Sequence, residues 1–273
     1  MSEHANAGGV LTLLTDFGLR DPWVAEVKGA IHSAWARRPG TGLLPSIVDL
    51  GHDLPRGDIA AAAWFLERVA ATYPAGTVHL AVVDPGVGSA RPAIACAARG
   101  QVFVGPGNGL LAFLRDEPGL LVVDLRDLPG RGHPRTGLVS ATFHGRDVFA
   151  PAAARLALGD PVALLGPALP AASLGALPTA ADVPRVAWVD AFGNAVSDLA
   201  AGSAAGDRLA NGARLVVAGA EVPGPHACYA DAPADRPFWY WGSGGTVEIA
   251  VPGGDAAARL GLCPGLALQV TGP

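Results

Sequence analysis

The sequence predicts an α/β N-terminal domain with a largely parallel central sheet (residues 8–168), a linker (169–184) and a smaller all-β C-terminal domain (185–273). Three observations lead to this organisation. As far as about residue 159, apolar runs that suit buried strands alternate with amphipathic helical segments, as in a parallel sheet with crossover helices. Residues 166–184 are rich in Ala and Pro and have no clear period. After them come short strand-like runs separated by Gly, Pro and Asp turns.

The elements of the first domain follow from apolar spacing and turn residues. Asp21-Pro22 precedes apolar residues at helical spacing, so Asp21 is expected to cap the first helix. Asp58 is expected to cap the second helix. The expected strands are Val10–Leu14, Leu43–Leu50, Val78–Val83, Pro92–Ala98, Gln101–Val104 and Leu120–Asp124. The expected helices begin near Asp21, Ile59, Leu110 and Thr142 and end near Arg38, Thr72, Leu114 and Leu158.

The second domain is expected to consist of short strands with one helix. Its apolar runs are too short for long helices and are bounded by turn residues, which favours strands. The expected strands are Arg185–Val189, Arg214–Val217, Phe238–Trp241, Thr246–Val251 and Leu266–Thr271. A short helix is expected at Gly254–Leu260.

Composition excludes several classes of protein. Half of the 273 residues are apolar, but no run approaches the roughly 18 apolar residues of a membrane helix. The first ten residues lack the basic and apolar regions of a secretory signal. Three widely spaced cysteines favour reduced thiols in the cytoplasm over a disulfide framework or a zinc site. A net charge of −5 without a basic cluster argues against nucleic-acid binding.

Polar side chains follow several of the predicted strands at the point where each strand ends. Asp84 follows the apolar run of VHLAVVDPGVGSAR, and Asp16, His52 and Asn108 follow other strands. The carboxyl ends of parallel strands meet at one edge of a sheet, so these groups are expected to converge on one pocket. The alternative is that each side chain caps its own turn.

Other polar residues are ambiguous by themselves. Arg91 follows the glycine turn after Asp84 and is expected either to pair with that carboxylate or to be solvated. His144 lies in a Phe-His-Gly-Arg-Asp turn before a helix. No dinucleotide-binding glycine motif, Walker A motif, nucleophile elbow or metal-ligand spacing is present. The residues alone therefore predict a polar pocket for a small ligand.

Five motifs occur in order along nearly the whole chain: LLTDFG (13–18), VVDPGVGSAR (82–91), GPGNGLL (105–111), TFHGRD (142–147) and DAFGN (190–194). Together they closely resemble the S-adenosyl-L-methionine hydrolases, also called SAM hydroxide adenosyltransferases, which are relatives of the fluorinase and chlorinase enzymes. The resemblance implies hydrolysis of S-adenosyl-L-methionine to adenosine and L-methionine, with no metal and no cofactor. Water or hydroxide would attack the ribose C5′ in line and expel the neutral thioether of methionine.

The resemblance also implies roles for individual residues. The family's Asp, Arg and His that prepare the water match Asp84, Arg91 and His144. Which of Asp84 and His144 accepts the proton is left open by the sequence. The matching substrate-binding positions are Asp16 for the ribose hydroxyls, Asp190, Phe192, Asn194 and Ser243 for methionine, and Tyr229, Val251 and Gly253 for adenine. Asn108 is expected to bind substrate as one of the polar groups at the strand ends. The family implies a homotrimer whose sites combine the N-terminal domain of one subunit with the C-terminal domain of the next.

Two differences from the halogenases favour the hydrolase. The chain passes directly from Arg91 to Pro92, without the extra halogenase loop, and Gly145 stands where fluorinase has a serine. Two alternatives stay open: a non-catalytic protein that binds adenosine or S-adenosyl-L-methionine, and a halide-dependent adenosyl transferase that forms 5′-halo-5′-deoxyadenosine. The segment around Ser243 reads WGSGG where the family usually has Asn-Ser-Ser-Gly.

Overall fold

The computed structural model describes residues 9–38, 45–177 and 183–272. The chain divides into two compact units, residues 1–178 and 179–273. The predicted linker at 169–184 contains this division, and its first part belongs to the first unit, because Ala168–Leu169 pairs with the edge of the sheet of that unit.

The first unit is built on a seven-stranded sheet in the order β2-β1-β3-β5-β4-β6-β7. Five of the strands run in the same direction, so the prediction of a largely parallel sheet is confirmed. The exceptions are β4 and β7, and β4 is antiparallel because the two-residue turn Arg99-Gly100 joins it directly to β5. The strands are β1 Val10–Thr15, β2 Ser46–Gly51, β3 Val78–Val82, β4 Ala93–Ala98, β5 Gln101–Pro106, β6 Leu121–Asp124 and β7 Ala168–Leu169. Residues 43 and 44 of the predicted second strand lie outside the described residues.

The helices of the first unit are α1 Trp23–Ala36, α2 Ile59–Ala70 and α3 Ala150–Ala157. Asp58 caps α2 as predicted, because its Oδ1 accepts a hydrogen bond from the main-chain N–H of Ala61 at 2.9 Å. The predicted cap of α1 is wrong: Pro22, already in helical conformation, occupies the N-cap position, and no side chain within the described residues caps this helix. The helix predicted from Thr142 begins later, with a wide π-helical turn at Gly145–Phe149 that leads into α3. The helix expected at Leu110–Leu114 is a single 3₁₀ turn, Ala112–Leu114.

The core of the first unit lies between the sheet and helices α1 and α3. Leu11 and Leu13 of β1 pack with Ile31 of α1 and Phe149 before α3, and all four are fully buried. Burial of this apolar surface stabilises the packing of α1 and α3 on the sheet, by about 25 cal/mol for each Å² removed from water. The loops at the carboxyl ends of the strands are held by this frame.

The second unit consists of two small antiparallel sheets, with strand orders β12-β13-β9-β8 and β11-β10-β14. Its fully buried residues include Trp239, Leu215 and Ile249. The all-β prediction is confirmed, although β9, β11 and the short helix α4 were not predicted. The elements are β8 Val186–Val189, β9 Ala195–Ala200, α4 Ala204–Ala210, β10 Arg214–Val217, β11 Ala220–Val222, β12 Phe238–Trp241, β13 Thr246–Ala250, α5 Ala256–Leu260 and β14 Leu268–Thr271.

The composition led to expectations about membrane-spanning helices and about the state of the cysteines. Within the described ranges, no helix is long and apolar enough to cross a membrane. Cys96, Cys228 and Cys263 are free thiols, as predicted, and burial raises the pKa of Cys96 to about 12. At that pKa the Cys96 thiol stays protonated and behaves as a small core residue.

Candidate active site

The polar residues that follow β3 and β5 lie side by side, because these two strands pair in parallel. Asn108 donates from Nδ2 to the carbonyl of Val83, immediately before Asp84, at 2.9 Å. Its Oδ1 accepts from the main-chain N–H of Leu110 at 3.2 Å. The Asn108 amide therefore ties the ends of two strands together, and its predicted contact with substrate stays a prediction.

Asp84, Arg91 and His144 form one hydrogen-bonded cluster. Arg91 binds both oxygens of Asp84, with Nε at 2.9 Å from Oδ1 and Nη2 on Oδ2. The same Nη2 lies 3.0 Å from Nδ1 of His144. Only 5% of the Asp84 side chain and 9% of the Arg91 side chain are exposed. Of the two expectations for Arg91, pairing with Asp84 is the one that the structure realises.

The hydrogen bonds assign the tautomer of His144. A guanidinium can only donate, so Nδ1 of His144 accepts, and the hydrogen of the neutral ring is on Nε2. Burial and the positive charge of Arg91 hold the pKa of His144 below its ordinary value, against the opposing effect of Asp84. The cluster at neutral pH therefore contains a carboxylate, a guanidinium and a neutral imidazole whose Nε2–H donates to no other group in the described part of the chain.

A close approach of two loops brings His144 to the other two residues. Gly88, in the turn between Asp84 and Arg91, has φ +79°. A Cβ at this position would lie 2.5 Å from the carbonyl oxygen of Ala141. Both the backbone angle and the contact require glycine, so the PGVG turn can lie directly against the loop that carries His144.

Buried charges support the loop that carries His144. Asp147 is fully buried, and its carboxylate accepts hydrogen bonds from Nε and Nη2 of Arg146 and from the main-chain N–H of Ser140. Arg146 also binds Glu26 of α1 at 2.7 Å and stacks over the Phe143 ring. Bidentate Arg–carboxylate pairs are rigid as well as strong, so these contacts fix the turn before α3.

A cavity of about 450 Å³ opens beside the cluster. Asp84 and His144 line it, together with Phe17, Trp23 and Phe143, whose rings meet edge to face. Trp23 was not predicted, because it lies outside the apolar face of α1 that packs on the core. The residue is 44% exposed, and its ring forms part of the wall of the cavity.

Asp16 lies in the turn after β1 and is partly buried. Its Oδ2 accepts a hydrogen bond from the main-chain N–H of Gly57 at 2.8 Å. Within the described residues, Oδ1 accepts no hydrogen bond, so one carboxylate oxygen is available to a ligand hydroxyl. Phe17, the next residue, belongs to the wall of the cavity.

The second unit has a cavity of its own, of about 500 Å³. Five of the predicted substrate-binding residues line it: Phe192, Asn194, Tyr229, Val251 and Gly253. Gly254 joins them and was not predicted. The Phe192 side chain is 79% exposed, which leaves an aromatic face open to a ligand.

Asp190 and Ser243 hold different positions from these wall residues. The carboxylate of Asp190 accepts hydrogen bonds from the main-chain N–H groups of Phe192 and Asn194 and from the Asn194 amide, at 2.8–2.9 Å. Asp190 therefore shapes the hairpin turn between β8 and β9. Ser243 lies in the turn between β12 and β13. The predicted contacts of both residues with methionine stay predictions.

The described residues form no candidate metal site. Among residues 9–38, 45–177 and 183–272, no group of three or more His, Cys, Asp or Glu side chains is arranged to hold a metal ion. Independence of metals stays a prediction.

Both units of the chain match domains of one known family. The N-terminal domain of the SAM hydroxide adenosyltransferases matches residues 11–166, and their C-terminal domain matches residues 184–269. A protein named (R)-S-adenosyl-L-methionine hydrolase from Thermus thermophilus is 42% identical over 264 residues, which are 94% of this chain and 97% of the relative. One of the same name from Salinispora arenicola is 41% identical over 96% of this chain and 97% of the relative. A fluorinase from Actinoplanes is 27% identical and covers 60% of each chain.

Solved structures agree with these sequence matches. The crystal structure of an uncharacterised conserved protein from Thermotoga maritima superposes with a TM-score of 0.84 at 28% identity, and covers 96% of this chain and all of the other. That of a conserved hypothetical protein from Thermus thermophilus superposes with a TM-score of 0.73 at 36% identity and the same coverage. The domain matches span most of both units, so the chain belongs to the SAM hydroxide adenosyltransferase family.

Proposed function

We propose that this protein hydrolyses S-adenosyl-L-methionine to adenosine and L-methionine. The observation that carries the proposal is the contact between Asp84, Arg91 and His144 at the wall of a cavity, in a member of this family. Two sequence relatives that match almost the whole chain bear the name (R)-S-adenosyl-L-methionine hydrolase, whereas the fluorinase matches only part of it.

The difficult part of this reaction is the activation of the nucleophile, which is a water molecule. A water oxygen bonds to the ribose C5′, the C5′–S bond breaks, and its electron pair converts the sulfonium to a neutral thioether. The leaving group needs no proton, but the water must lose one. Lowering the pKa of water from about 15.7 to about 7 would require the site to stabilise hydroxide by roughly 12 kcal/mol. Partial deprotonation of the water in a prearranged site requires less stabilisation.

The cluster supplies complementary groups for this step. The Asp84 carboxylate is the acceptor group of the cluster, and we assign to it the proton that the water loses. The Nε2–H of His144 donates to the water oxygen and fixes one lone pair, because Nδ1 is already occupied by Arg91. Arg91 places a positive charge beside the oxygen as negative charge develops on it. Bulk water would weaken each of these effects, so the aromatic walls favour the reaction once the substrate fills the cavity.

Binding of the substrate is assigned to residues of both units. The unoccupied Oδ1 of Asp16 suits a ribose hydroxyl, and the exposed faces of Phe192 and Tyr229 suit the methionine chain and adenine. Asn194, Val251 and Gly253 line the same cavity as these two aromatic residues. A homotrimer, which the family resemblance implies, is part of the proposal. Light scattering is expected to give three times the 27.5 kDa mass of one chain.

Incubation of the purified full-length chain with S-adenosyl-L-methionine, followed by chromatography, tests the activity. Adenosine and methionine are expected in equal amounts, and the name of the relatives leads us to expect consumption of the (R) epimer at sulfur. Pretreatment with EDTA is expected to leave the rate unchanged. Tight binding without product would overturn the proposal in favour of a binding protein. Formation of 5′-halo-5′-deoxyadenosine on addition of halide would instead indicate an adenosyl transferase to halide.

A further inference from the structure

A buried threonine–histidine pair lies directly behind Asp16. Thr15, the last residue of β1, places Oγ1 2.8 Å from Nδ1 of His52, and both residues are buried. The main-chain N–H of Phe17 donates to the same Oγ1 at 3.3 Å. The hydroxyl therefore accepts from the turn and has its single hydrogen available for Nδ1 of His52.

The other side of the His52 ring faces a charged pair. Nε2 lies 3.1 Å from Oδ1 of Asp49, whose Oδ2 binds Nζ of Lys28 at 2.6 Å. Burial raises the pKa of Asp49, but the bonds from Lys28 and His52 outweigh it and hold that pKa below its ordinary value. The carboxylate is thus ionised, and its 3.1 Å contact with Nε2 favours the tautomer with the hydrogen on Nε2, although the angle of this contact lies outside the range of a hydrogen bond. In this tautomer Nδ1 is the acceptor for Thr15.

Main-chain bonds fasten the same two segments to each other. The carbonyl of His52 accepts from the N–H of Gly18 at 2.7 Å, and the N–H of Gly57 donates to Oδ2 of Asp16 at 2.8 Å. The turn after β1 is consequently held on both sides of Asp16 by the segment that follows β2. The direction of its free Oδ1 depends on these contacts.

We propose that Thr15 and His52 are positioning residues that orient the Asp16 carboxylate toward the ribose diol of the ligand. The inference rests on the proposed function, in which Asp16 binds the ribose. A carboxylate held in its binding direction loses little conformational freedom when the ligand arrives. Removal of the Thr15–His52 bond is expected to weaken binding to the diol and to leave other ligand contacts unchanged.

The same strand offers a matched control. Thr12 is also fully buried, and its Oγ1 lies 2.7 Å from Nδ1 of another buried histidine, His79. This pair lies in the core, three residues before Thr15 and away from the turn. Thr12→Val and Thr15→Val therefore each delete one buried Thr–His hydrogen bond in β1, but only the second lies against Asp16.

The experiment measures binding of adenosine and 2′,3′-dideoxyadenosine to the full-length chain by calorimetry. Thr15→Val is expected to weaken adenosine binding about three- to tenfold, the usual effect of one hydrogen bond, and to leave 2′,3′-dideoxyadenosine binding unchanged. Thr12→Val is expected to change neither affinity. Thr15→Ser, which retains the hydroxyl, is expected to restore adenosine binding.

Asp16→Ala, measured in parallel, separates failure of this inference from failure of the proposed function. It is expected to weaken adenosine binding roughly 10- to 100-fold. Unchanged binding in Asp16→Ala would remove Asp16 from the ribose site. A normal loss in Asp16→Ala with equal affinities in Thr15→Val and Thr12→Val would overturn the positioning role.

A second pair of variants covers the case in which Thr15→Val does not fold. His52→Asn retains an acceptor near the position of Nδ1, whereas His52→Gln moves the amide toward the position of Nε2. Adenosine is expected to bind His52→Asn several-fold more tightly than His52→Gln. Equal affinities of the two variants for adenosine would contradict the proposal.

Discussion

At the scale of single residues, the site depends on which atoms donate and which accept. Arg91 has only donors, and it satisfies both Asp84 and His144 at once. The result is a nearly buried ion pair beside a neutral imidazole. Loss of either charged member would leave the other buried without its partner, at a cost of about 3–5 kcal/mol. Substitutions that test the chemistry should therefore keep the shape and hydrogen bonding of the cluster.

Asp84→Asn removes the basic carboxylate but keeps the shape of the side chain and one oxygen that can accept from Arg91. We expect kcat to fall about 10²- to 10⁴-fold, the usual range for loss of a proton acceptor, and KM to change only a few-fold. Steady-state kinetics with S-adenosyl-L-methionine and calorimetric binding of adenosine measure the two effects. A variant with near wild-type kcat would contradict the role of Asp84.

The lowered pKa of His144 predicts the acid side of the pH profile. The neutral ring is the form that accepts from Arg91, and it persists below the ordinary pKa of 6.5. The value of kcat/KM should therefore fall only as the pH drops below 6.5. In the unfolded chain this histidine takes up its proton at higher pH than in the folded chain, so its effect on folding also becomes unfavourable below about pH 6.5.

A pH titration of kcat/KM between pH 4.5 and 9 tests this assignment. His144→Asn retains an acceptor near Nδ1 but cannot titrate, so the residual activity of this variant should lack the acid limb. An acid limb centred above pH 6.5 in the wild type, or one that persists unchanged in His144→Asn, would disprove it.

At the scale of elements, the site exists because two loops meet at one edge of the sheet. The turn after β3 presents Asp84 and Arg91, and the loop before α3 presents His144. Their contact depends on Gly88 and on the rigid turn around Asp147. Sequence patterns predicted each segment, but nothing in the spacing of residues fixed the distance between them.

Gly88→Ala is expected to disturb this contact. A residue with a Cβ in this left-handed backbone conformation destabilises the fold by about 1–2 kcal/mol. The new Cβ would also collide with the carbonyl of Ala141. We expect a lower melting temperature and a fall in kcat of at least about tenfold, since misplaced reacting groups lose rate steeply. Differential scanning calorimetry and kinetics measure both.

Gly130→Ala is the matched control for the element-scale prediction. Gly130 has φ +82°, and a Cβ there would meet nothing within 4 Å. It should show the backbone cost alone and retain the wild-type kcat. Equal loss of kcat in Gly88→Ala and Gly130→Ala would show that the close approach is not important.

At the scale of the whole molecule, the two units have separate hydrophobic cores and separate cavities. The first contains the three proposed catalytic residues, and the second contains the aromatic and main-chain groups that are proposed to bind the substrate. Variants in the second unit should consequently change affinity more than the chemical step. Tyr229 is the clearest case, because it is 41% exposed and lines the cavity.

Tyr229→Ala is expected to raise KM roughly 5- to 100-fold, the range of base–aromatic stacking, with kcat changed less than about threefold. Tyr229→Phe retains the ring but loses the 3.2 Å contact with the Tyr240 hydroxyl, and it should stay close to the wild type. Initial-rate kinetics over a wide range of substrate concentration separate KM from kcat. A fall in kcat with unchanged KM would remove Tyr229 from the binding site.

The sequence by itself determined the fold class, most strands and helices, and the family, because these depend on local periodicity and on short motifs in a fixed order. It missed α4, β7, β9 and β11, which are short and whose apolar residues follow no clear helical or alternating period, and it placed the cap of α1 one residue early. The tertiary structure alone decided that Arg91 binds Asp84 and His144 together, and that Trp23 faces the cavity. The physical reason is that hydrogen-bond partners, burial and pKa depend on distances between segments far apart in the chain, which no local pattern encodes.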